Sequence, residues 1–320
     1  MKKLRYFIET SSVEFLAWSM RRLPRHVILV LARIIGTLAW MADFRGRTTA
    51  VENLRVAFGG LFTWPARQRI ARHCYQNFAR TFFDLFWVGS LTKESWAEHF
   101  VIEALDPVAL EATRTKGAVW VTPHFGNFEL SSIVWGFAGF RHTIVAQDFK
   151  NPALTDIFTA ARQASGHTVI PQQSAMLRLT KALSRGSNAG FLTDLNVKPG
   201  RAAAVIECFG LQTCVTTLHV MLAQRLGLTI LPALCFPLED GRYHVKVFHP
   251  IKPGIDDAPQ AIAQQCWDIF EQEIRQRPEL WMWMYKHWRY LPDDSSASRY
   301  PDYANINKAF FKMLQQELPA

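Results

Sequence analysis

The stretch VTPHFGNFEL sets His124 and Glu129 five residues apart. On one regular helix that step leaves the two side chains about 140° apart, on different faces. A continuous helix therefore does not pair them, but a strand-to-helix turn does. With His124 in the turn, Glu129 in the first helical turn and Gly126 permitting a sharp bend, the carboxylate folds back onto the imidazole. Such a pair is a base and its orienter: the neutral ring takes a proton from a hydroxyl, while the carboxylate fixes the tautomer and stabilises the imidazolium that forms. Amides at the start of the following helix would face the oxyanion of an attacked carbonyl. The same two residues also suit a satisfied core histidine followed by a first-turn acid favoured by the helix dipole. A zinc site is not indicated, because HExxH and CxxC are both absent.

The elements that must hold this turn can be read from apolar periodicity. Strands are expected at 117–122, 142–147, 168–170, 189–193, 228–235 and 243–249, and helices at about 129–138, 153–164, 173–185, 214–226 and 258–276. Alternation of this kind predicts an α/β fold, a mostly parallel central sheet flanked by helices. In such sheets ligands bind beyond the carboxyl ends of the strands. His124 follows the strand ending at Thr122, and Asp194 follows the strand ending at Thr193, so both fall on that side. Upstream, Ile70, Cys74, Phe78, Phe82 and Leu85 form the apolar stripe of a helix over Arg67 to Trp87. Val27 to Ala42 is the most membrane-like run, but it is sixteen residues long and contains Arg33, short of a clean spanning helix. It is expected to be a monotopic or barely spanning anchor, with a buried core helix as the alternative. The organisation expected is a helical, basic, membrane-associating region over 1–95, an α/β catalytic domain over 96–295 and a helical tail over 296–320. No cleavable signal peptide is expected.

The formal charge of +9 is concentrated at the beginning of the chain. Residues 1 to 80 hold fourteen Lys or Arg against four Asp or Glu, so the remainder is close to neutral. These cations are interleaved with Phe7, Phe15, Trp18 and Trp40, a composition suited to an anionic lipid leaflet. No nucleic-acid-binding signature accompanies the basic residues, and nucleic acid is not an expected partner. The five cysteines form no CxxC pair and lie mostly in apolar stretches, as reduced core residues do.

HFGNFE resembles the HFGNWE motif of the bacterial lipid A biosynthesis acyltransferases, the lauroyl and myristoyl transferases. Asn53, Leu54, Ala57 and Phe58 look like that family's N-terminal block, and Asn151, Pro152, Arg162 and Gly166 like its second. Asp194, Phe209, Gly210, Thr217, Leu222 and Ala223 are similar to the third, and Pro278, Trp281, Trp283 and Trp288 to its Trp-rich ending. The likeness covers about residues 10 to 290. It implies a glycerolipid acyltransferase-like α/β fold, with His124 as general base and Glu129 in support. Around them Gly126, Asn127, Arg162, Asp194 and Thr217 are expected to contact or position substrate, Arg162 through phosphate. It also implies an acyl carrier protein as the usual donor, with acyl-CoA as the alternative, an anionic glycolipid as acceptor and work at the cytoplasmic face of the inner membrane. A thioester supplies the driving force, so no metal or organic cofactor is expected. Three positions depart from the family's pattern: Asp194-Leu195 for Asp-Gln, Tyr285-Lys286-His287-Trp288 for His-Arg-Arg-Trp, and Val215-Thr216-Thr217 for Thr-x-Thr. They leave the reaction type intact and open the acceptor to alternatives, such as a mannosylated phosphoinositide. A non-catalytic membrane-surface protein is the alternative outside enzymology.

Overall fold

The computed structural model describes residues 2–146 and 148–317. Four helices come first: α1 (Lys2–Met20), α2 (Arg25–Ala42), α3 (Phe44–Phe58) and α4 (Trp64–Trp87). Then follow β1 (Phe100–Ala104), α5 (Pro107–Lys116), β2 (Val119–Thr122), α6 (Leu130–Phe137), β3 (His142–Ala146), α7 (Pro152–Arg162), β4 (Thr168–Pro171), α8 (Ala175–Leu183) and β5 (Asn188–Leu192). A hairpin of β6 (Ala203–Cys208) and β7 (Leu211–Thr216) precedes α9 (Leu218–Leu226), β8 (Ile230–Pro237), β9 (Tyr243–Val247) and α10 (Pro259–Gln276). Short strands β10 (Tyr290–Leu291) and β11 (Asn305–Ile306) and helix α11 (Lys308–Glu317) complete it.

Seven strands form the central sheet in the order β1-β9-β8-β2-β5-β3-β4. The five from β8 to β4 are parallel; β9 runs antiparallel to β8 and carries β1 with it. The mostly parallel α/β architecture expected from alternation is therefore present. Both faces are covered: Val119 and Val121 pack with residues of α8, α9 and α10, while Trp120 packs on the other face with α6 and the end of α4. That explains why β2 is apolar at successive positions rather than alternating.

One expected element is corrected. The helix expected from residue 214 begins at Leu218, because Cys214, Val215 and Thr216 pair with β6. Phe209 and Gly210 both take positive φ (53° and 75°), the two-residue loop that matches strand twist in a tight hairpin. The apolar run of β7 is too short to carry a decisive period, so it reads equally as strand or helix from sequence.

At the other end of the chain, α4 is the spine of the opening helices. Ile28, Ala32 and Gly36 form the buried stripe of α2. A Cβ on Gly36 would lie 2.4 Å from the Gln76 Cα, so glycine is what lets α2 cross α4 this closely. The remaining faces of α2 present Val30, Ile34, Ile35, Leu38 and Met41 to the outside, so α2 is not a buried core helix. It is long and apolar enough, by length and composition, to cross a membrane. Leu4, Phe7, Ile8, Phe15 and Trp18 of α1 are likewise exposed.

Candidate active site

Strand β2 ends at Thr122, and its continuation Pro123-His124 turns at Gly126 (φ 58°) into α6. The turn is fixed from three sides. Asn77 Nδ2 and Thr81 Oγ1 of α4 donate to the Gly126 carbonyl (2.8 and 3.2 Å), and the Gly126 and Asn127 amides donate to Leu280 and Cys235 carbonyls. The Trp-rich segment lies alongside, with Phe125 bridged to Trp281 and the Met282 amide donating to the His124 carbonyl.

Across this turn the structure places Asp194, at the end of β5, against His124. The His124 ring Nδ1 lies 2.8 Å from Asp194 Oδ1, and the His124 backbone N–H donates to Oδ2 at 2.9 Å. Trp281 Nε1 donates to the same Oδ2 at 2.8 Å. Burial alone would raise the Asp194 carboxyl; the charge and hydrogen bonds of His124, with His287 nearby, outweigh it and hold the carboxyl at about 2. An ionised carboxylate only accepts, so Nδ1 carries a proton and Nε2 is the ring nitrogen left for chemistry.

The expected pairing of Glu129 with His124 is corrected by this geometry. Both Glu129 oxygens are taken by Arg162, Oε2 from Nε at 2.9 Å and Oε1 from Nη2 at 2.6 Å. A planar guanidinium gives a carboxylate two parallel bonds, a better match than one bond to an imidazole. Asp194, two residues past the end of the strand beside β2, reaches Nδ1 without any fold-back. Glu129 and Arg162 instead line a cavity of about 950 Å³ that also touches Thr122 and Phe128. His124 stands beside this space, its side chain 11% exposed and its ring edge-on to Phe128 at 4.8 Å between centroids.

Three other expected contacts fall elsewhere. Asn127 is buried: its Oδ1 accepts the Leu130 amide and caps α6, and its Nδ2 reaches Asp84 and the Tyr243 hydroxyl. Gly126 is confined to the backbone turn, for a Cβ there would lie 2.2 Å from the Cys235 carbonyl oxygen. Thr217 is buried at the head of α9, and its neighbour Thr216 is the one that borders the cavity. Of the turn's amides, Phe125, Gly126, Asn127, Leu130 and Ser131 already donate within the protein. Those of Phe128 and Glu129 have no acceptor among the described residues. Sequence reasoning did not find Trp281 as the third partner of Asp194; the Trp-rich ending was the available signal. Among the described residues no group of three or more His, Cys, Asp or Glu is arranged to hold a metal ion.

A mostly parallel α/β sheet, a histidine–aspartate pair past the end of a central strand and a large adjoining cavity are a combination chemically able to activate a hydroxyl. The family model of the bacterial lipid A biosynthesis acyltransferases matches residues 1–290, and the chain belongs to that family. The lipid A biosynthesis lauroyltransferase of Escherichia coli (strain K12) is 23% identical over 291 residues, 88% of this chain and 92% of the relative. The palmitoleoyltransferase of the same organism is 23% identical over 285 residues, covering 88% and 90%. A phosphatidylinositol mannoside acyltransferase of Mycobacterium tuberculosis (strain ATCC 25618 / H37Rv) is 24% identical over 228 residues, covering 70% and 71%. The chain is thus an acyltransferase family member, related to enzymes of lipid A biosynthesis.

Proposed function

We propose that this protein transfers a fatty acyl chain from the thioester of an acyl carrier protein to a hydroxyl of a lipid A precursor. The observation that carries the reading is the 2.8 Å contact between His124 Nδ1 and Asp194 beside the cavity. His124 Nε2 removes the acceptor hydroxyl proton as that oxygen bonds to the thioester carbonyl carbon, and Asp194 stabilises the imidazolium. The Phe128 and Glu129 amides face the tetrahedral oxyanion. Its collapse breaks the carbon–sulfur bond, and the departing thiolate takes the proton from His124, leaving an ester and a free carrier thiol. Arg162, held flat by Glu129, binds the acceptor's phosphate at the cavity mouth. The exposed apolar faces of α1 and α2 sit in the cytoplasmic leaflet of the inner membrane, where nearby Lys and Arg attract anionic lipid, the anionic glycolipid and the acidic carrier.

The mycobacterial relative, of similar percentage identity over a shorter stretch than the two Escherichia coli enzymes, supports a second acceptor, a mannosylated phosphoinositide. Purified protein given labelled acyl-carrier thioester and each acceptor in turn separates the two. The expected result is an extended lipid A precursor with wild type, and loss of about a thousandfold or more in rate with His124→Ala. Wild-type turnover by that variant rejects the mechanism, and product on the phosphoinositide alone reassigns the acceptor.

A further inference from the structure

One wall of the cavity is the sheet face under α6. Thr122 and Trp120 of β2, Gly190 of β5, and Ile144 and His142 of β3 all border it. Trp120, Gly190 and Ile144 share one row of the sheet, and His142 lies one row-pair lower, level with Asn188. A Cβ built on Gly190 would meet only Ile144, at 3.5 Å, so this row has a gap in the middle. Below the gap the space is closed. Trp120 Nε1 donates to the fully buried Asn188 Oδ1 at 2.9 Å, which fixes the indole over the lower end. His142 stands edge-on to that indole at 5.2 Å and stacks on His167 at 5.4 Å, while Trp135 backs Trp120 at 4.8 Å.

His142 is 2% exposed, and neither ring nitrogen has a partner among the described residues. Burial, with His167 alongside, holds its pKa well below the usual histidine value, so the ring there is neutral. A hydrocarbon entering at Thr122 would pass Gly190 in a space lined by Trp120 and Ile144 together with Ser131 and Ser132, and would then meet His142 on its packed stack. Further methylenes there would have to force aside the close-packed rings of His142, Trp120, Trp135 and His167.

We infer that Gly190 and His142 set the acyl chain length of this enzyme: Gly190 is the channel and His142, with Trp120, the stop. The inference rests on the cavity holding the acyl chain in the proposed transfer. From the level of Thr122 to that of His142 is four residues along the parallel register, roughly 13 Å at 3.3 Å per residue. A saturated chain advances roughly 1.3 Å per bond, so the channel takes about ten to twelve carbons.

The test uses the full chain and two variants, His142→Ala and Gly190→Val, each with saturated acyl-carrier thioesters of eight to sixteen carbons. Binding of the corresponding free fatty acids is measured separately by native mass spectrometry. Wild type is expected to favour ten to twelve carbons in both series. His142→Ala moves the optimum up by about two to four carbons and Gly190→Val moves it down, each changing the fourteen-to-ten-carbon ratio about tenfold or more. Because Gly190 has open space above it, that variant carries the test if His142→Ala folds poorly. An unchanged optimum in Gly190→Val, or wild-type acceptance of sixteen carbons as readily as twelve, overturns the inference. Fatty-acid binding that shifts as expected without any transfer supports the length stop and rejects the proposed reaction. Transfer with an unshifted optimum rejects the stop alone.

Discussion

At the scale of single residues, two acids compete for the histidine, and the geometry divides their work. Asp194 accepts from the ring and the backbone of His124, whereas Glu129 is saturated by Arg162. The two carboxylates should therefore fail differently when neutralised. Asp194→Asn removes the charge that stabilises the imidazolium and can present an amide N–H to Nδ1, inverting the tautomer. The expected loss in kcat is about a thousandfold to ten-thousandfold, as for other histidine-orienting aspartates. Glu129→Gln leaves the tautomer untouched and frees Arg162, so KM for the phosphorylated acceptor changes more than kcat. Steady-state kinetics on both variants decide it, and a larger kcat loss in Glu129→Gln would return Glu129 to the imidazole. The sequence made His124 and Asp194 legible because both follow the carboxyl ends of apolar runs. Their pairing was not legible, since spacing along the chain says nothing of which acid a neighbouring strand delivers. Glu129 looked available only because Arg162, thirty-three residues away, was not counted as its partner.

Between elements, the turn that carries His124 is tied to α4 as well as to the sheet and the Trp-rich segment. Asp84 of α4 is fully buried, receives Arg25 from the start of α2 and the Tyr243 hydroxyl from β9, and accepts from Asn127 at 3.2 Å. Two helices, an antiparallel strand and the turn itself, through Asn127 three residues from His124, thus meet at one carboxylate. Removing one partner of a buried ion pair leaves the other uncompensated, at about 3–5 kcal/mol. Asp84→Asn is expected to lose that much in chemical denaturation and to lower activity through the displaced turn. A variant with wild-type stability would show that Arg25, and Arg80 whose Nε lies 3.4 Å from Asp84 Oδ2, are well solvated without it. The periodicity of α4 is readable because five apolar positions repeat at helical spacing, and α2 is readable from its continuous apolar run, Val27 to Ala42. Strand β1 and helix α5 passed unread: β1 is a half-exposed edge strand whose Val101 and Ile102 face out, so it lacks the alternation that marks a strand. The Phe209-Gly210 hairpin was missed for a related reason, since a two-residue loop without Asn-Gly gives little turn signal.

For the whole molecule, the same burial that shapes the cavity stores an acid liability in four neutral histidines. Burial pushes His167 and His287 down to about 4 and His219 to about 3, and holds His142 well below its usual value. A folded pKa below the unfolded value of 6.5 means that the unfolded chain binds the proton first. Stability from these groups is therefore intact above about pH 6.5 and falls as the pH drops toward 4, each histidine removing about 1.4 kcal/mol per pH unit in that window. Asp194 adds a loss of the same sign, but only between its ordinary 3.8 and about 2, after the histidines have acted. Four such groups together remove about 5 kcal/mol per unit, against a total stability of about 5–15 kcal/mol for an ordinary domain. The protein is thus expected to unfold between pH 6 and 4, well before most carboxylates titrate. Urea midpoints from pH 8 to 4.5 measure this, and a midpoint unchanged down to pH 5 would show the rings already satisfied by water. His219 is the cleanest control: it lies on α9, both its nitrogens lack partners among the described residues, and it touches neither Asp194 nor the cavity. His219→Leu takes one proton out of the balance, so the slope against pH falls by about a quarter while stability at pH 8 is kept or gained.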